Sequence, residues 1–564
     1  MNYLEQYQLW CNANLPADVQ KELRAIQNDI EELKGRFGRE LEFGTAGLRG
    51  IMGAGCNRLN RYTVRRAAQG MAAWLSSTDL PKKAAIGYDS RHNSQLFAEV
   101  CAVAFAEVGI HTYLFDRLAP TPMLSYAVRE LGCGCGIVIS ASHNAGAYNG
   151  VKCYGPDGCQ MTDEPAAIVS EKIGSIPYFV PETKSFDAFM QEGAISYIGQ
   201  DLWEKYYQTV LAEAVNPDML KNAGLNIVYT PLCGTGNEPV REVLGRLGVN
   251  IAVVSCQEKP DGDFRTCEYP NPETDAALNE SYKVAQTVDC DVILGTDPDC
   301  DRVAIAVPNG DTFRKLSGNE LGCLLLDYIL REREKLNNIP EGAITVRSIV
   351  SSPLADKIAS RYGVTMKAVL TGFKYIGGEI LELEQKGQQD KFVFGFEESC
   401  GYLKGTYARD KDAVVASMLV CELAASLKTQ GKTILDALDG LYKTYGYYLA
   451  FVQSIELTGS DAMEKATQMM TELRDNAPAS IGGAMVTAIR DYRSSVARDI
   501  ATGNEDTILL PKSNVLEFLL GDQGSVIARP SGTEPKVKFY YTAVGASEQD
   551  ARILLDKLIQ QMSK

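Results

Sequence analysis

Short apolar runs bounded by turn-forming residues alternate along this chain with longer stretches whose apolar residues recur every three or four positions. The runs AAIGYD at 84–89, GIVIS at 136–140, LNIVYTP at 225–231, VILGTD at 292–297 and KFVFGFE at 391–397 read as buried strands. The stretches 94–109, 317–334 and 412–428 between them read as helices. That rhythm predicts an α/β protein in layers. Near the start, Leu23, Ile26, Ile30, Leu33 and Phe37 follow one another at alternating steps of three and four, which predicts one helix packed by its apolar face. The far end differs. SVIARP and KVKFYYTAV, with Val537, Phe539 and Tyr541 on one face, predict antiparallel strands, and 547–563 predicts a closing helix, so a smaller α+β domain ends the chain.

At 564 residues the chain exceeds what one hydrophobic core can serve, since cores stop growing at roughly 250–300 residues. Breaks near 200, 318 and 447 divide it into expected domains at 1–200, 201–317, 318–447 and 448–564.

The net charge is −16, which argues against a partner with a nucleic-acid backbone. An anionic ligand would need a local pocket of Arg, Lys and backbone N–H groups. The first residues lack the basic start and apolar run of a signal peptide, and no apolar stretch reaches 18 residues, so no membrane association is expected. Fifteen scattered cysteines, several inside apolar runs, suit reduced thiols and a cytoplasmic location. No C-x-x-C pair occurs and only His92, His111 and His143 are present, so a zinc cluster is not expected.

Four loops carry candidate chemistry. In the first, Ser140–Lys152, small residues surround Ser142 directly after an apolar strand, where α/β sheets place ligands; a plain turn explains the same residues. The second, Gly295–Arg302, places Asp297, Asp299 and Asp301 at alternate positions. Three such carboxylates repel one another or share a cation, and oxygen-only ligands suit a hard ion such as Mg²⁺ or Ca²⁺. An EF-hand is excluded because its required Gly and Glu are Arg302 and Pro308 here. The third, Gly395–Tyr402, offers Glu397 and Ser399 to sugar hydroxyls. The fourth, Arg529–Lys538, is a candidate phosphate clamp, with an Arg and two hydroxyls around a Gly. Each has a structural explanation alone; the four in this order share none.

Together with FGTAGLRG at 43–50, TGFK at 371–374 and RDKD at 409–412, these loops resemble the α-D-phosphohexomutase superfamily over essentially the whole chain. FGFEESCGYL followed by ARDKDA looks closest to bacterial α-phosphoglucomutases of the long type. The resemblance implies three related α/β sandwich domains and a C-terminal α+β domain around a central cleft. It implies that Ser142 carries a phosphoryl group and, with Asp297, Asp299 and Asp301, holds one Mg²⁺. Arg302, Thr371, Gly372, Glu397, Ser399 and Lys411 would contact substrate. Arg529, Ser531, Gly532 and Thr533, with Lys538, would hold the phosphate that does not react.

The implied activity is interconversion of glucose 1-phosphate and glucose 6-phosphate, with glucose 1,6-bisphosphate as intermediate and activator. Mannose or pentose phosphates are the alternative substrates, and an inactive sugar-phosphate sensor the remote one. Some relatives carry a His where Gly401 stands, so the proton-handling group is expected to be Lys152, with Arg49 and His143 beside it. Lys152 would need a lowered pKa for that task, which a positively charged cleft could supply. Ala145 stands where many relatives have Pro. The oligomeric state is left open between a monomer and a weak dimer.

Overall fold

The computed structural model describes residues 2–44, 47–458, 461–531 and 536–563. It divides into two compact units: 1–318, 338–343 and 373–431 form the first, and 319–337, 344–372 and 432–564 the second.

The first unit is built on two mixed sheets. Six strands, β1 (Gly47–Ile51), β2 (Lys83–Tyr88), β3 (His111–Phe115), β4 (Cys135–Ile139), β5 (Tyr148–Tyr154) and β6 (Ile195–Ile198), lie in the order β1-β5-β4-β2-β3-β6. β4, β2, β3 and β6 are parallel, whereas β5 runs antiparallel to both β4 and β1. The second sheet orders β7 (Asn226–Thr230), β8 (Asn250–Val253), β9 (Val292–Thr296), β10 (Val303–Asn309) and β11 (Thr312–Lys315) as β11-β10-β9-β7-β8. β4 and β9 are buried at every position, which is why they read as unbroken apolar runs. The unit also holds a hairpin of Phe392–Glu397 and Gly401–Leu403 and the buried helix Ala413–Lys428. Asp412 starts that helix, its carboxylate accepting from the backbone N–H of Val414 and Val415.

The expected single helix at 23–37 is two. Ala17–Ala25 ends at Ile26, and Ile30–Phe37 begins after Asp29, whose side chain caps it by accepting from the backbone of Glu31 and Glu32. Leu23, Ile26, Leu33 and Phe37 are buried, but Ile30 is 56% exposed. The apolar spacing survives the break because both helices pack on the same cluster around Trp10, Phe37 and Tyr178.

In the second unit Ile344–Ser348 and Thr365–Val369 pair in parallel. The unit also holds a seven-stranded antiparallel sheet that includes Gly524–Pro530 and Lys536–Gly545, covered by the helices Ala462–Asp475 and Glu548–Met562. Val537, Phe539 and Tyr541 face its core, as their alternation predicts. All fifteen cysteines are unpaired. Among the described residues no helix is long and apolar enough to cross a membrane.

Candidate active site

Ser142 follows β4 by three residues and is buried. Its backbone is left-handed, φ 51°, a region a non-glycine residue occupies only when held there. Part of the hold is local: the N–H of Ser142 donates to Ser140 Oγ at 2.8 Å. The hydroxyl donates to Asp297 Oδ2 at 2.8 Å and lies 3.2 Å from His143 Nδ1.

Asp297, Asp299 and Asp301 occupy the turn between the antiparallel strands β9 and β10, and all three are buried. Cys300 takes the turn at φ 54°. Gly234 lies under Pro298, and a Cβ there would stand 2.4 Å from the proline Cα. Asp297 Oδ1 accepts from the backbone N–H of Asp301 and of Arg302, which turns the carboxylates inward.

Asp299 Oδ2 accepts from Thr121 Oγ1 at 2.8 Å and from Lys152 Nζ at 2.5 Å. Asp301 Oδ2 is 3.1 Å from Lys152 Nζ and 3.0 Å from Lys411 Nζ. One carboxylate oxygen from each aspartate lies within 4.8 Å of the others. Asp299 Oδ1 and Asp301 Oδ1 are buried without a hydrogen-bond partner. An all-oxygen donor set with two such orphaned acceptors fits a hard divalent cation.

Charge is tightly coupled here. Burial and the neighbouring Asp301 and Asp299 push the Asp297 carboxyl well up. Burial opposes ionisation at Asp299 and Asp301 as well, but Lys152 at both, with Lys411 and Arg302 at Asp301, brings them below the usual carboxylate range. Burial also acts to lower Lys152, yet Asp299 and Asp301 outweigh it and its pKa is raised. The lowering that proton transfer would need is not seen at Lys152 here: two carboxylates hold its ammonium charged, against the Lys411 cation nearby. His143 does shift down, through burial and then Arg302 and Arg49, so its imidazole is held neutral.

The structure brings the other expected residues of this unit to the same neighbourhood. Arg49, on β1 and paired in register with Gly150, donates from Nη1 to Asn144 Oδ1 at 3.2 Å. Arg302 Nη1 donates to Glu273 Oε1 at 3.0 Å, a partner no motif announced. Glu397 ends its strand and is buried, with Ser399 following in the turn closed by Cys400 at φ 60°. Lys411 lies against that hairpin, and a Cβ on Gly401 would stand 2.4 Å from Lys411 Cδ.

The remaining residues belong to the second unit. Thr371 and Gly372 close the segment 344–372; Gly372 has φ 122°, and Thr371 Oγ1 is buried without a hydrogen-bond partner. Arg529 and Lys538 face each other across an antiparallel pair, and the N–H of Ser531 donates to Lys536 O at 2.8 Å. Gly532 and Thr533 lie outside the described residues, as do Thr45 and Ala46 of the FGTAGLRG stretch.

Thr121 and Glu273 escaped the sequence reading, and so did a third residue. Arg91, just past β2, sends its guanidinium to the carbonyls of the serine loop. The only sequence signal was a buried-strand ending, AAIGYD, in the same sheet as Ser142.

Fold and site together define an α/β protein with a buried carboxylate cluster bonded to a serine hydroxyl at the ends of its strands. Comparison with known proteins gives the family. Models of phosphoglucomutase/phosphomannomutase match in order: alpha/beta/alpha domain I at 40–177, domain II at 204–310, domain III at 317–445 and the C-terminal domain at 484–556. The chain is 36% identical over 512 residues to a phosphoglucomutase of Staphylococcus epidermidis (strain ATCC 12228), covering 90% of this chain and 92% of that one. It is 37% identical over 520 residues to a phosphoglucomutase of Staphylococcus aureus (strain USA300), covering 91% of each.

Among solved structures, a putative phosphomannomutase from Thermus thermophilus has the same fold, with TM-score 0.69 at 21% identity over 93% of this chain and 98% of that one. So does the pp63/parafusin phosphoglucomutase from Paramecium, with TM-score 0.66 at 16% identity over 92% of this chain and 93% of that one. The chain belongs to the phosphoglucomutase/phosphomannomutase family and carries its four-domain α/β architecture.

Proposed function

We propose that the protein is a phosphoglucomutase, an isomerase that interconverts glucose 1-phosphate and glucose 6-phosphate through a phosphorylated Ser142. Support comes from the phosphoglucomutase relatives at 36–37% identity. The single observation that carries the mechanism is the 2.8 Å bond from Ser142 Oγ to Asp297 inside the carboxylate cluster. The family's four domains are proposed to divide at 1–200, 201–317, 318–447 and 448–564.

In this reading Asp297, Asp299 and Asp301, with Ser142, hold one Mg²⁺. The ion, when bound, polarises the phosphoryl group being transferred and neutralises its charge. Phospho-Ser142 gives its phosphoryl group to the free hydroxyl of a hexose monophosphate. The P–O bond to Ser142 breaks as the new one forms, and the hydroxyl proton passes to the site. The product is glucose 1,6-bisphosphate, which reorients. Its other phosphoryl group then returns to Ser142, and the sugar oxygen takes a proton back.

Lys152, Arg49 and His143 are the proposed proton-handling set. Lys152, held charged by two aspartates, also serves to stabilise the moving phosphoryl group. Arg302 contacts the same group, and Lys411 contacts substrate. Glu397 and Ser399 bind sugar hydroxyls, with Thr371 and Gly372 at a further substrate turn. Arg529, Ser531, Gly532, Thr533 and Lys538 hold the phosphate that is not transferred. A cytoplasmic location suits fifteen unpaired cysteines.

The test is a substrate panel of glucose 1-phosphate, mannose 1-phosphate and ribose 1-phosphate, with Mg²⁺ and glucose 1,6-bisphosphate present. Glucose 1-phosphate should give the highest kcat/KM. A mannose or pentose preference would replace the glucose reading while leaving the phosphoserine chemistry intact.

A further inference from the structure

The serine loop is held by a residue outside every motif named above. Arg91 follows β2 and is 3% exposed. Its Nη1 donates to Ala145 O at 2.8 Å and Tyr148 O at 3.0 Å, and its Nη2 donates to Ser142 O and Asn144 O, both at 2.5 Å. Four carbonyls of one short segment thus converge on one planar cation. Asp89 fixes the cation from behind: its Oδ2 lies 3.3 Å from Arg91 Nε, and its Oδ1 accepts from the N–H of Arg91 and from Ser94 Oγ.

The loop is also gripped by the segment leading from β8 to β9. The ring centroid of Phe264 lies 4.9 Å from the Arg91 guanidinium carbon, within cation–π range. Phe264 is buried and sits at φ 47°, so its placement is itself imposed. A Cβ on Gly146 would stand 2.8 Å from Gly262 O, which brings the two backbones together, and Asp263 Oδ1 lies 2.7 Å from His92 Nε2.

Ser142 needs such support. Its left-handed backbone is unfavourable for a side chain with a Cβ and persists only where the surroundings over-determine it. We infer that Arg91 is the positioning residue of Ser142: its guanidinium, backed by Phe264, holds the loop carbonyls so that Oγ is aimed at Asp297. Lysine cannot replace it, because an ammonium lacks the planar fork that reaches four acceptors at once.

The inference rests on the reading of Ser142 as the phosphoryl carrier, so two independent readouts are needed. Arg91→Lys keeps the charge and loses the fork. Backbone hydrogen exchange reports the loop, and intact-mass kinetics report phosphorylation of Ser142 by glucose 1,6-bisphosphate. In Arg91→Lys, exchange should rise in 140–148 and stay unchanged elsewhere. The phosphorylation rate and kcat should fall together by about 100-fold, the scale of a misplacement near 1 Å, while KM stays within about twofold.

Should Arg91→Lys fail to fold, Phe264→Leu decides, with the same pattern expected at smaller size. Exchange and phosphorylation both at wild-type values in the variant would overturn the inference, and so would loosening spread over the whole first sheet. A wild-type protein that is never phosphorylated would sink the phosphoserine reading. Selective loosening of 140–148 would still uphold the clamp in that case.

Discussion

Ser142 and Asp297 are separated by 155 positions in the chain and by 2.8 Å in the molecule, the hydroxyl donating to the carboxylate. One follows β4 of the first sheet and the other follows β9 of the second, so the bond ties two strand ends together. Thr121 repeats the link, its N–H donating to Asp299 O and its hydroxyl to Asp299 Oδ2. A serine and a carboxylate cluster placed by two rigid sheets need little ordering before reaction, which is the physical meaning of preorganisation.

Asp301 lies between the Lys152 and Lys411 ammonium groups. Asp301→Asn leaves both buried cations short of a counter-charge, and breaking a buried pair in this way costs about 3–5 kcal/mol. The variant should melt well below wild type and should bind Mg²⁺ more weakly by calorimetry. Chelation by EDTA should abolish wild-type turnover, and added Mg²⁺ should restore it. Turnover that survives chelation would contradict the oxygen-ligand site.

Gly150 lies where β5 passes both its neighbours. An added Cβ would stand 2.5 Å from Ser140 O and 2.9 Å from Leu48 O, both backbone atoms that cannot swing aside. Gly150→Ala should destabilise the first unit by about 1–3 kcal/mol in urea melts, the usual penalty for overpacking. It should also lower kcat, because Ser140 supports Ser142 and β1 carries Arg49. A variant of wild-type stability would show that the sheet edge yields more easily than described.

Glu384 accepts from Arg129 and Arg409. The Arg129 hydrogen bond leads in holding its carboxyl down at about 2, with Arg409 assisting against the pull of burial. A carboxylate depressed in the folded state adds stability above its unfolded value, about 4.3, and loses it as pH falls toward 2. Its side chain is 38% exposed, so screening limits the effect to about 0.5–1 kcal/mol. Wild type should exceed Glu384→Gln in urea midpoint at pH 6, and the gap should narrow through pH 4 and pH 3. A gap independent of pH would mean that Glu384 acts through packing alone.

Much of the fold was legible because buried strands announce themselves: GIVIS and VILGTD each carry three successive apolar residues, and both lie at sheet centres. The chemistry was legible where residues adjacent in sequence act together, as in the aspartate turn. Reading failed where it depended on partners distant in the chain. The apolar spacing from Leu23 to Phe37 passed through two helices, although Asp29 followed by two glutamates was a capping signal in plain view. Lys152 was expected among cations, yet it meets Asp299 and Asp301, nearly 150 positions away. Arg91 had no signal beyond the strand ending before it, since its partners are backbone carbonyls and any sequence provides those.

The most direct test of the account is the phosphorylation state of Ser142. Wild type incubated with glucose 1,6-bisphosphate and Mg²⁺ should gain the mass of one phosphoryl group, mapped to Ser142 by peptide sequencing. Ser142→Ala should gain none and should lose interconversion of glucose 1-phosphate and glucose 6-phosphate by at least about 1000-fold, as expected when a covalent carrier is removed. A Ser142→Ala protein that keeps wild-type turnover, or a phosphoryl group mapped to another residue, would contradict it.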